Sequence, residues 1–104
     1  MKTIVLFHIA LLAAAGFAAT PAEIAIQKAQ TAIASHPVHY PYYNSLAMAY
    51  ARRARETSDV AFYARSEEAL AQSFAISPGN FEGRKTQTWL QLGRHEFEIG
   101  RAHV

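Results

Sequence analysis

The side chains that could do chemistry in this sequence are its five histidines and its eight aspartates and glutamates. His36 and His39 form a close pair, but they lie in a proline-containing segment with no adjacent carboxylate or third histidine. A metal site needs three or four ligands supported by further hydrogen bonds, so this pair does not indicate one. Glu67 and Glu68 are neighbours in sequence and point in different directions on a helix, so they do not form a paired acid and base.

Motifs for nucleotide binding and nucleophilic catalysis do not occur in the sequence either. Gly79 and Gly83 lie close together, but no Lys-Ser pair follows them as it does in a phosphate-binding loop. No serine lies in a nucleophile-elbow pattern. The absence of cysteine excludes disulfides, thiolate metal sites and a cysteine nucleophile. The sequence therefore predicts no catalysis and no cofactor.

The charge balance indicates no nucleic-acid partner. Ten Lys and Arg residues against eight Asp and Glu residues give a formal net charge of +2. The densest basic cluster is Arg52, Arg53 and Arg55, and Glu56 and Asp59 follow it directly. A nucleic-acid interface concentrates uncompensated basic residues on one face, so this cluster is typical of a solvated helix face.

The first 18 residues have the three-part form of a secretory signal. Lys2 supplies a positive start, residues 4–15 are almost entirely apolar, and Gly16 and Ala18 are the small residues that precede a cleavage site. We expect cleavage after Ala18 and export to the periplasm or the exterior. An uncleaved membrane anchor is the alternative, but the apolar segment is shorter than the ~20 residues that cross a bilayer, and no basic cluster follows it. The membrane is expected as a partner only through this segment.

The rest of the chain has the pattern of helices separated by short breaks. Thr20-Pro21-Ala22-Glu23 combines a capping box with a proline in the first turn, which predicts a helix over residues 20–36 that ends before Pro37. Further helices are predicted over residues 41–56 and 60–76 and from residue 81 onward, with breaks between them at residues 57–59 and 77–80. Strand alternation does not occur, so the predicted fold class is all-α, with sequential helices as antiparallel neighbours.

Two segments of the chain share one apolar spacing. An aromatic residue is followed by an aliphatic and a small residue three and four positions later, and by a further apolar residue in the next turn, in Tyr43-x-x-Leu46-Ala47-x-x-Tyr50 and in Trp89-x-x-Leu92-Gly93-x-x-x-Phe97. This pattern resembles the first helix of a tetratricopeptide repeat. The large residues fill the groove against a partner helix, and the small one lets the backbone of that helix approach.

The helix between these two segments is similar to the second helix of such a repeat. Ser66, Leu70 and Ser73 give the small, large, small pattern of its inner face, and Pro78 stands where the closing proline belongs. The resemblance covers residues 41–97 and amounts to one repeat and the first helix of another. The two aromatic residues are 46 positions apart, whereas the common repeat has about 34 residues, so the connecting segments are longer than usual.

The resemblance implies a non-enzymatic scaffold that interacts with a protein or peptide. Such repeats stack into an α-solenoid, whose concave face is lined mainly by the first helix of each hairpin and holds a peptide or a partner helix. By helical position, the residues expected to face that partner are Tyr42, Asn44, Ser45, Met48 and Arg52. The alternative is that the chain is the helical leader of a longer exported enzyme whose catalytic domain is missing from it. Further hairpins in the uninterrupted gene would favour the scaffold, and a catalytic constellation would favour the enzyme.

The last segment, residues 98–104, differs in character from the helix before it. Its sequence, Glu-Ile-Gly-Arg-Ala-His-Val, is one that the bases gag atc gga aga gca cac gtc would encode, and these bases resemble the start of a common short-read sequencing adapter. We therefore expect a non-native tail on an N-terminal fragment, in which Arg101 and His103 have no functional role. Other synonymous codons in the gene would contradict this expectation.

Overall fold

The computed structural model describes residues 18–102, which form four α-helices and, within that range, no strand. The helices are α1 (Pro21–Ser35), α2 (Tyr40–Thr57), α3 (Ala61–Ile76) and α4 (Phe81–Ala102). The predicted all-α class is confirmed. Almost all of the predicted signal segment lies outside the described residues, as do the last two residues of the tail.

The predicted capping box starts α1. The Thr20 hydroxyl accepts a hydrogen bond from the Glu23 N–H at 3.2 Å, and the Glu23 carboxylate accepts one from the Thr20 N–H at 2.9 Å. These two bonds satisfy N–H groups that have no partner inside the helix. The helix ends at Ser35, where His36 donates its N–H to the Ala32 carbonyl oxygen.

The predicted break between α2 and α3 is formed by Ser58 and Asp59. Ser58 has a φ of 56°, in the left-handed region, and its N–H donates to the Ala54 carbonyl oxygen at 2.8 Å. The Asp59 carboxylate then accepts a hydrogen bond from the Ala61 N–H at 3.0 Å. The predicted ranges were 41–56 for α2 and 60–76 for α3, and the structure has Tyr40–Thr57 and Ala61–Ile76. Each end therefore lies within one residue of its prediction.

Helix α2 is the centre of the fold and contacts each of the other three helices. Its alanines are among the most buried residues, so that the neighbouring backbones approach closely and larger side chains from the flanking helices fill the remaining space. The buried core consists of Ala29, Leu46, Ala47, Ala51, Ala54, Tyr63, Ala69, Leu70 and Leu90. Four of the residues named from the repeat pattern, Leu46, Ala47, Ser66 and Leu70, are buried where α2 packs against α3.

A buried hydroxyl joins α2 to α3. Ser66 is fully buried, and its hydroxyl donates to the Ala47 carbonyl oxygen at 2.7 Å. Ser73 lies two turns further along the same face of α3. It is also fully buried, and its hydroxyl accepts a hydrogen bond from the Asn80 side chain at 2.9 Å. The small residues of the repeat pattern therefore lie where helix backbones come close together and where a larger side chain has no space.

The aromatic residues of the repeat pattern lie at the edges of the core. The Tyr43 hydroxyl donates to the Pro37 carbonyl oxygen at 2.7 Å, and the Tyr50 ring stacks on Phe62 with 6.3 Å between centroids. Both tyrosines are half-buried. They hold α2 against the α1–α2 connection and against α3, respectively.

Trp89 and Phe97 of α4 pack against α2 and α3. The Arg55 guanidinium lies 4.5 Å from the centroid of the Trp89 ring, and Phe97 packs edge to face on Tyr63 at 6.2 Å. Gly93 lies beneath the same arginine, because a Cβ at this position would come 3.0 Å from the Arg55 side chain. The small residue of the second repeat segment therefore makes room for a side chain from α2.

Two residues expected to pack the repeat lie at the surface instead. Leu92 is 54% exposed, and Leu90, at 2%, is the leucine of α4 that enters the core. The prediction for Leu92 is wrong because Leu92 does not lie on the buried face of α4. That face is formed by Gly83, Thr86, Leu90 and Gly93. Pro78 is exposed in the turn after α3, where it ends the helix without packing against it.

Helix α4 continues without a break through the expected boundary at residue 98. Glu98, Ile99 and Gly100 are helical, and the helix ends at Ala102. Ile99 is 46% exposed, and among residues 18–102 a Cβ added at Gly100 would meet no atom of another helix within 4 Å. The boundary expected from the sequence therefore has no counterpart in the helix.

A polar network ties the start of α1 to the end of α2. Arg53 pairs with Glu23 at 3.2 Å and with Glu56 at 3.0 Å, and the Thr20 hydroxyl donates to the Glu56 carboxylate at 2.7 Å. The hydrogen bond from Thr20 is the largest cause of a lowered pKa for Glu56; desolvation opposes it, and the hydrogen bond from Arg53 adds to it.

We expect this network to make stability depend on pH through Glu56. Because the folded-state pKa is lowered, the carboxylate contributes stability above the ordinary glutamate pKa, and this contribution is lost as the pH falls through the folded-state value. Between about pH 5 and pH 3, the free energy of unfolding should fall more steeply for the wild type than for Glu56→Gln. Urea unfolding at a series of pH values measures both slopes, and equal slopes would contradict the assignment.

Candidate functional site

A groove with a volume of about 630 Å³ lies between α1, α2 and α4. We call it the α2 groove, because α2 supplies most of its lining. Its lining includes all five residues that the sequence placed toward a partner, Tyr42, Asn44, Ser45, Met48 and Arg52. The structure therefore brings these five residues together in one concave surface.

Helix α1 forms one wall of the α2 groove. Ala25, Lys28, Ala29 and Ala32 follow the spacing i, i+3, i+4, i+7, which puts them on one face of the helix. Three of the four are alanines, so this wall is low and leaves open space beside α2. The wall was not predicted from the sequence, where these alanines show only that α1 is amphipathic.

Helix α2 supplies the floor of the groove. Ser45, Met48 and Arg52 lie on one face of α2, with Ser45 and Arg52 exposed and Met48 half-buried. Tyr42 lies near the start of the helix, where its ring packs on His39 with 4.4 Å between centroids. The floor thus combines an apolar centre with polar groups at both ends.

Asn44 lies deep in the groove lining. The residue is only 6% exposed, and its Nδ2 donates to the Asn80 Oδ1 at 3.0 Å. Asn80, far away in sequence, thus supplies a buried polar partner. Within residues 18–102, the Asn44 Oδ1 is buried without any hydrogen-bond partner.

Asn80 holds Asn44 from outside the groove lining, and the sequence does not predict this contact. Its Oδ1 also accepts the Gly83 N–H at 2.7 Å and so caps α4, while its Nδ2 donates to the Ser73 hydroxyl and to the Ser77 carbonyl oxygen. An asparagine before a helix is a recognisable capping signal. Its contact with α2 depends on the tertiary fold and leaves no local signal.

Asn80 also fixes the second wall of the groove. Glu82 and Thr86, in the first turns of α4, line the groove opposite α1. Since Asn80 caps α4 and holds Asn44 of α2, the position of this wall is coupled to the floor through one amide.

The charges of the α2 groove are mainly positive. In the part of the chain that the structure describes, Lys28 and Arg52 form no ion pair, whereas Glu82 pairs with Lys85 at 3.6 Å. The two unpaired cations lie on different helices that border the groove. The arrangement favours an anionic ligand over a cationic one.

Across residues 18–102, no three His, Cys, Asp or Glu residues come close enough together to hold a metal ion. In the same range, no helix combines the length and apolar composition needed to cross a bilayer.

No family model, curated protein or solved structure matches the chain.

Proposed function

We propose that this chain is part of an exported, tetratricopeptide-like scaffold that binds a segment of another protein or a peptide in the α2 groove and catalyses no reaction. The observation that carries the proposal is the convergence of Tyr42, Asn44, Ser45, Met48 and Arg52 on one groove. Their position along α2 predicts this face without reference to α1 or α4.

The packing of the helices supports the resemblance to this repeat family. Helices α2 and α3 form a hairpin, and α2 also contacts α4. In the repeat, the first helix of one hairpin lies beside the first helix of the next and lines a concave face. Helices α2 and α4 correspond to those first helices, and both contribute to the groove.

Export is the second part of the proposal, and it depends on the signal-like sequence of the first 18 residues. Expression in a bacterium followed by intact-mass measurement of the periplasmic fraction tests it. The expected product begins at Ala19. A product that stays in the cytoplasm at full mass would contradict it.

A peptide selection tests the binding function. A phage library of random dodecapeptides is selected on the immobilised chain, and the enriched peptides are measured by fluorescence anisotropy. Ser45 is exposed and lines the groove, so Ser45→Trp fills the groove without disturbing the core. We expect this variant to weaken binding by about tenfold or more.

The matched control is Gln91→Trp, at an exposed position of α4 outside the groove lining. It should bind the selected peptides as the wild type does. Circular dichroism confirms that both variants are folded. A selection without enrichment, or peptides that bind all three proteins equally, would overturn the proposal.

A further inference from the structure

We propose that α4 pairs in the antiparallel orientation with the α4 of a second copy of this chain, through the side of the helix that faces away from α2 and α3. Phe81, Leu92 and Ile99 lie on that side and are 72%, 54% and 46% exposed. At 3.6 residues per turn, they lie within about 20° of one another around the helix axis. Large apolar side chains that line up on an exposed helix face are typical of an interaction surface.

Three further residues complete this surface, which we call the outer face of α4. Successive positions are alternately four and three residues apart, which is the spacing of a coiled-coil seam. The face runs for roughly 27 Å along the helix. All of its residues are exposed, namely Phe81, Lys85, Thr88, Leu92, His95 and Ile99. The buried residues Gly83, Leu90 and Gly93 lie on the opposite side of α4, so the outer face adds nothing to the core of a single chain.

The charges beside the outer face have opposite signs at its two ends. Arg84 and Lys85 lie near the start of the face, and Glu96 and Glu98 lie near its end. In the part of the chain that the structure describes, Arg84, Glu96 and Glu98 form no ion pair. Lys85 lies 3.6 Å from Glu82, but these two side chains are 60% and 65% exposed, so the ammonium group also remains accessible to a carboxylate of another chain.

An antiparallel pair of outer faces brings these opposite charges together. A two-fold axis at about residue 90 places the start of one face opposite the end of the other, and each flank of the seam then meets the same flank of the second copy. On one flank, Lys85 lies opposite the partner's Glu96. On the other flank, Arg84 lies opposite the partner's Glu98. Each ion pair occurs twice by symmetry, in the flanking positions that set partner choice in paired helices.

The same register pairs the apolar residues of the two faces. Phe81 meets the partner's Ile99, and next to the axis Leu92 meets the partner's Thr88. A parallel pair would instead place Lys85 against the partner's Lys85, and like charges in contact disfavour that arrangement. The opposed dipoles of two antiparallel helices favour the same choice. The outer face is therefore complementary to itself, and a second copy satisfies it without any other protein.

The proposed dimer leaves the α2 groove open. Helix α4 lines that groove with Glu82 and Thr86, and neither residue belongs to the outer face. Pairing through α4 therefore does not depend on the proposed peptide binding. Leu92 and the contact of Lys85 with the partner's Glu96 also lie before the segment expected as a non-native tail, so the central part of the interface is independent of that segment.

Sedimentation equilibrium of the purified chain over about 1–200 µM measures the association. One helix pair is a small interface, so we expect a monomer–dimer equilibrium with a Kd in the micromolar range. Leu92→Glu should raise this Kd by about tenfold or more. The matched control is Ile24→Glu, because Ile24 is 51% exposed but lies on α1, and it should dimerise as the wild type does. Circular dichroism confirms that both variants are folded.

An exchange of charges tests the partner and the orientation. Lys85→Glu and Glu96→Lys each turn an attractive contact into a repulsive one, so each variant alone should dimerise about three- to tenfold more weakly. An equimolar mixture of the two restores opposite charges at both contacts, and so does the double variant within one chain. Both should recover the wild-type Kd to within about twofold. In a parallel pair, the single variants would be no weaker than the wild type, and the double variant would gain nothing.

The outcomes also separate the dimer from the proposed function. A chain that stays monomeric at the highest concentration overturns the dimer and leaves the outer face to a different protein or to a further helix. Association that Leu92→Glu does not weaken, or that mixing the two charge variants does not restore, overturns it as well. Peptide binding is read from Ser45→Trp in the α2 groove, a position outside the outer face, so either conclusion fails without the other.

Discussion

Replacing Tyr63 with alanine should lower the free energy of unfolding by about 3–5 kcal/mol. Tyr63 is the bulkiest residue of the buried core and is only 2% exposed. Its ring packs against Phe97, and it belongs to α3, so its loss leaves a cavity where α3 and α4 meet. Since a small domain has only about 5–15 kcal/mol in total, this change removes a large part of its stability.

Urea unfolding followed by circular dichroism measures the Tyr63→Ala effect. Tyr63→Phe is the matched control, because it keeps the ring in place and removes only the hydroxyl. It should cost about 1 kcal/mol or less. A loss below about 1 kcal/mol for the alanine variant would show that the ring is not packed as described.

The second large effect is expected from Ser66→Leu, which should cost about 2–4 kcal/mol. Ser66 is fully buried between α2 and α3 and donates to the Ala47 carbonyl oxygen. Leucine loses that bond and adds volume where no space exists. Helices α2 and α3 would have to separate, which also disturbs the contacts of Leu46 and Leu70.

Ser66→Ala separates the two causes. It removes the hydrogen bond without adding volume, so it should cost only about 1 kcal/mol. Thermal unfolding of the three proteins in parallel provides the comparison. Equal losses in the alanine and leucine variants would mean that the helices are not closely packed at this position.

The fold was predictable from the sequence where the signals are local. The capping box needs only Thr20 and Glu23, and the breaks at residues 57–59 and 77–80 depend on residues next to each other. Each of these signals acts over one helical turn. For this reason, the helix bounds were predicted to within about a residue, and the all-α class followed from them.

Leu92 shows where periodicity alone fails. It has the same spacing from Trp89 that Leu46 has from Tyr43, yet Leu46 is 8% exposed and Leu92 is 54% exposed. Helix α2 is contacted by three other helices, so most of its faces are covered, whereas, among the described helices, α4 contacts only α2 and α3. The pattern identifies a residue that suits a core, but the neighbouring helices determine whether a core is present there.

The groove was predictable in part, for a similar reason. The helical phase of α2 was sufficient to select Ser45, Met48 and Arg52, because it needs only the sequence of one helix. The walls come from α1 and α4, and the buried position of Asn44 depends on Asn80, a residue far away along the chain. A long-range partnership between two asparagines produces no pattern in a single sequence.

The short connections between the helices have a consequence for how the chain folds. Helix α2 is joined to α3 by a turn at Ser58 and Asp59, and the two pack directly on each other. Contacts between segments close in sequence need little loop-closure entropy, and proteins dominated by them fold on the microsecond to millisecond scale. The hairpin of α2 and α3 is the natural nucleus, and α1 and α4 then join a surface that is already formed. Changes inside the hairpin, such as those at Ser66, would therefore slow folding, whereas changes to the contacts of α1 or α4, such as loss of the Tyr63 ring, would mainly accelerate unfolding.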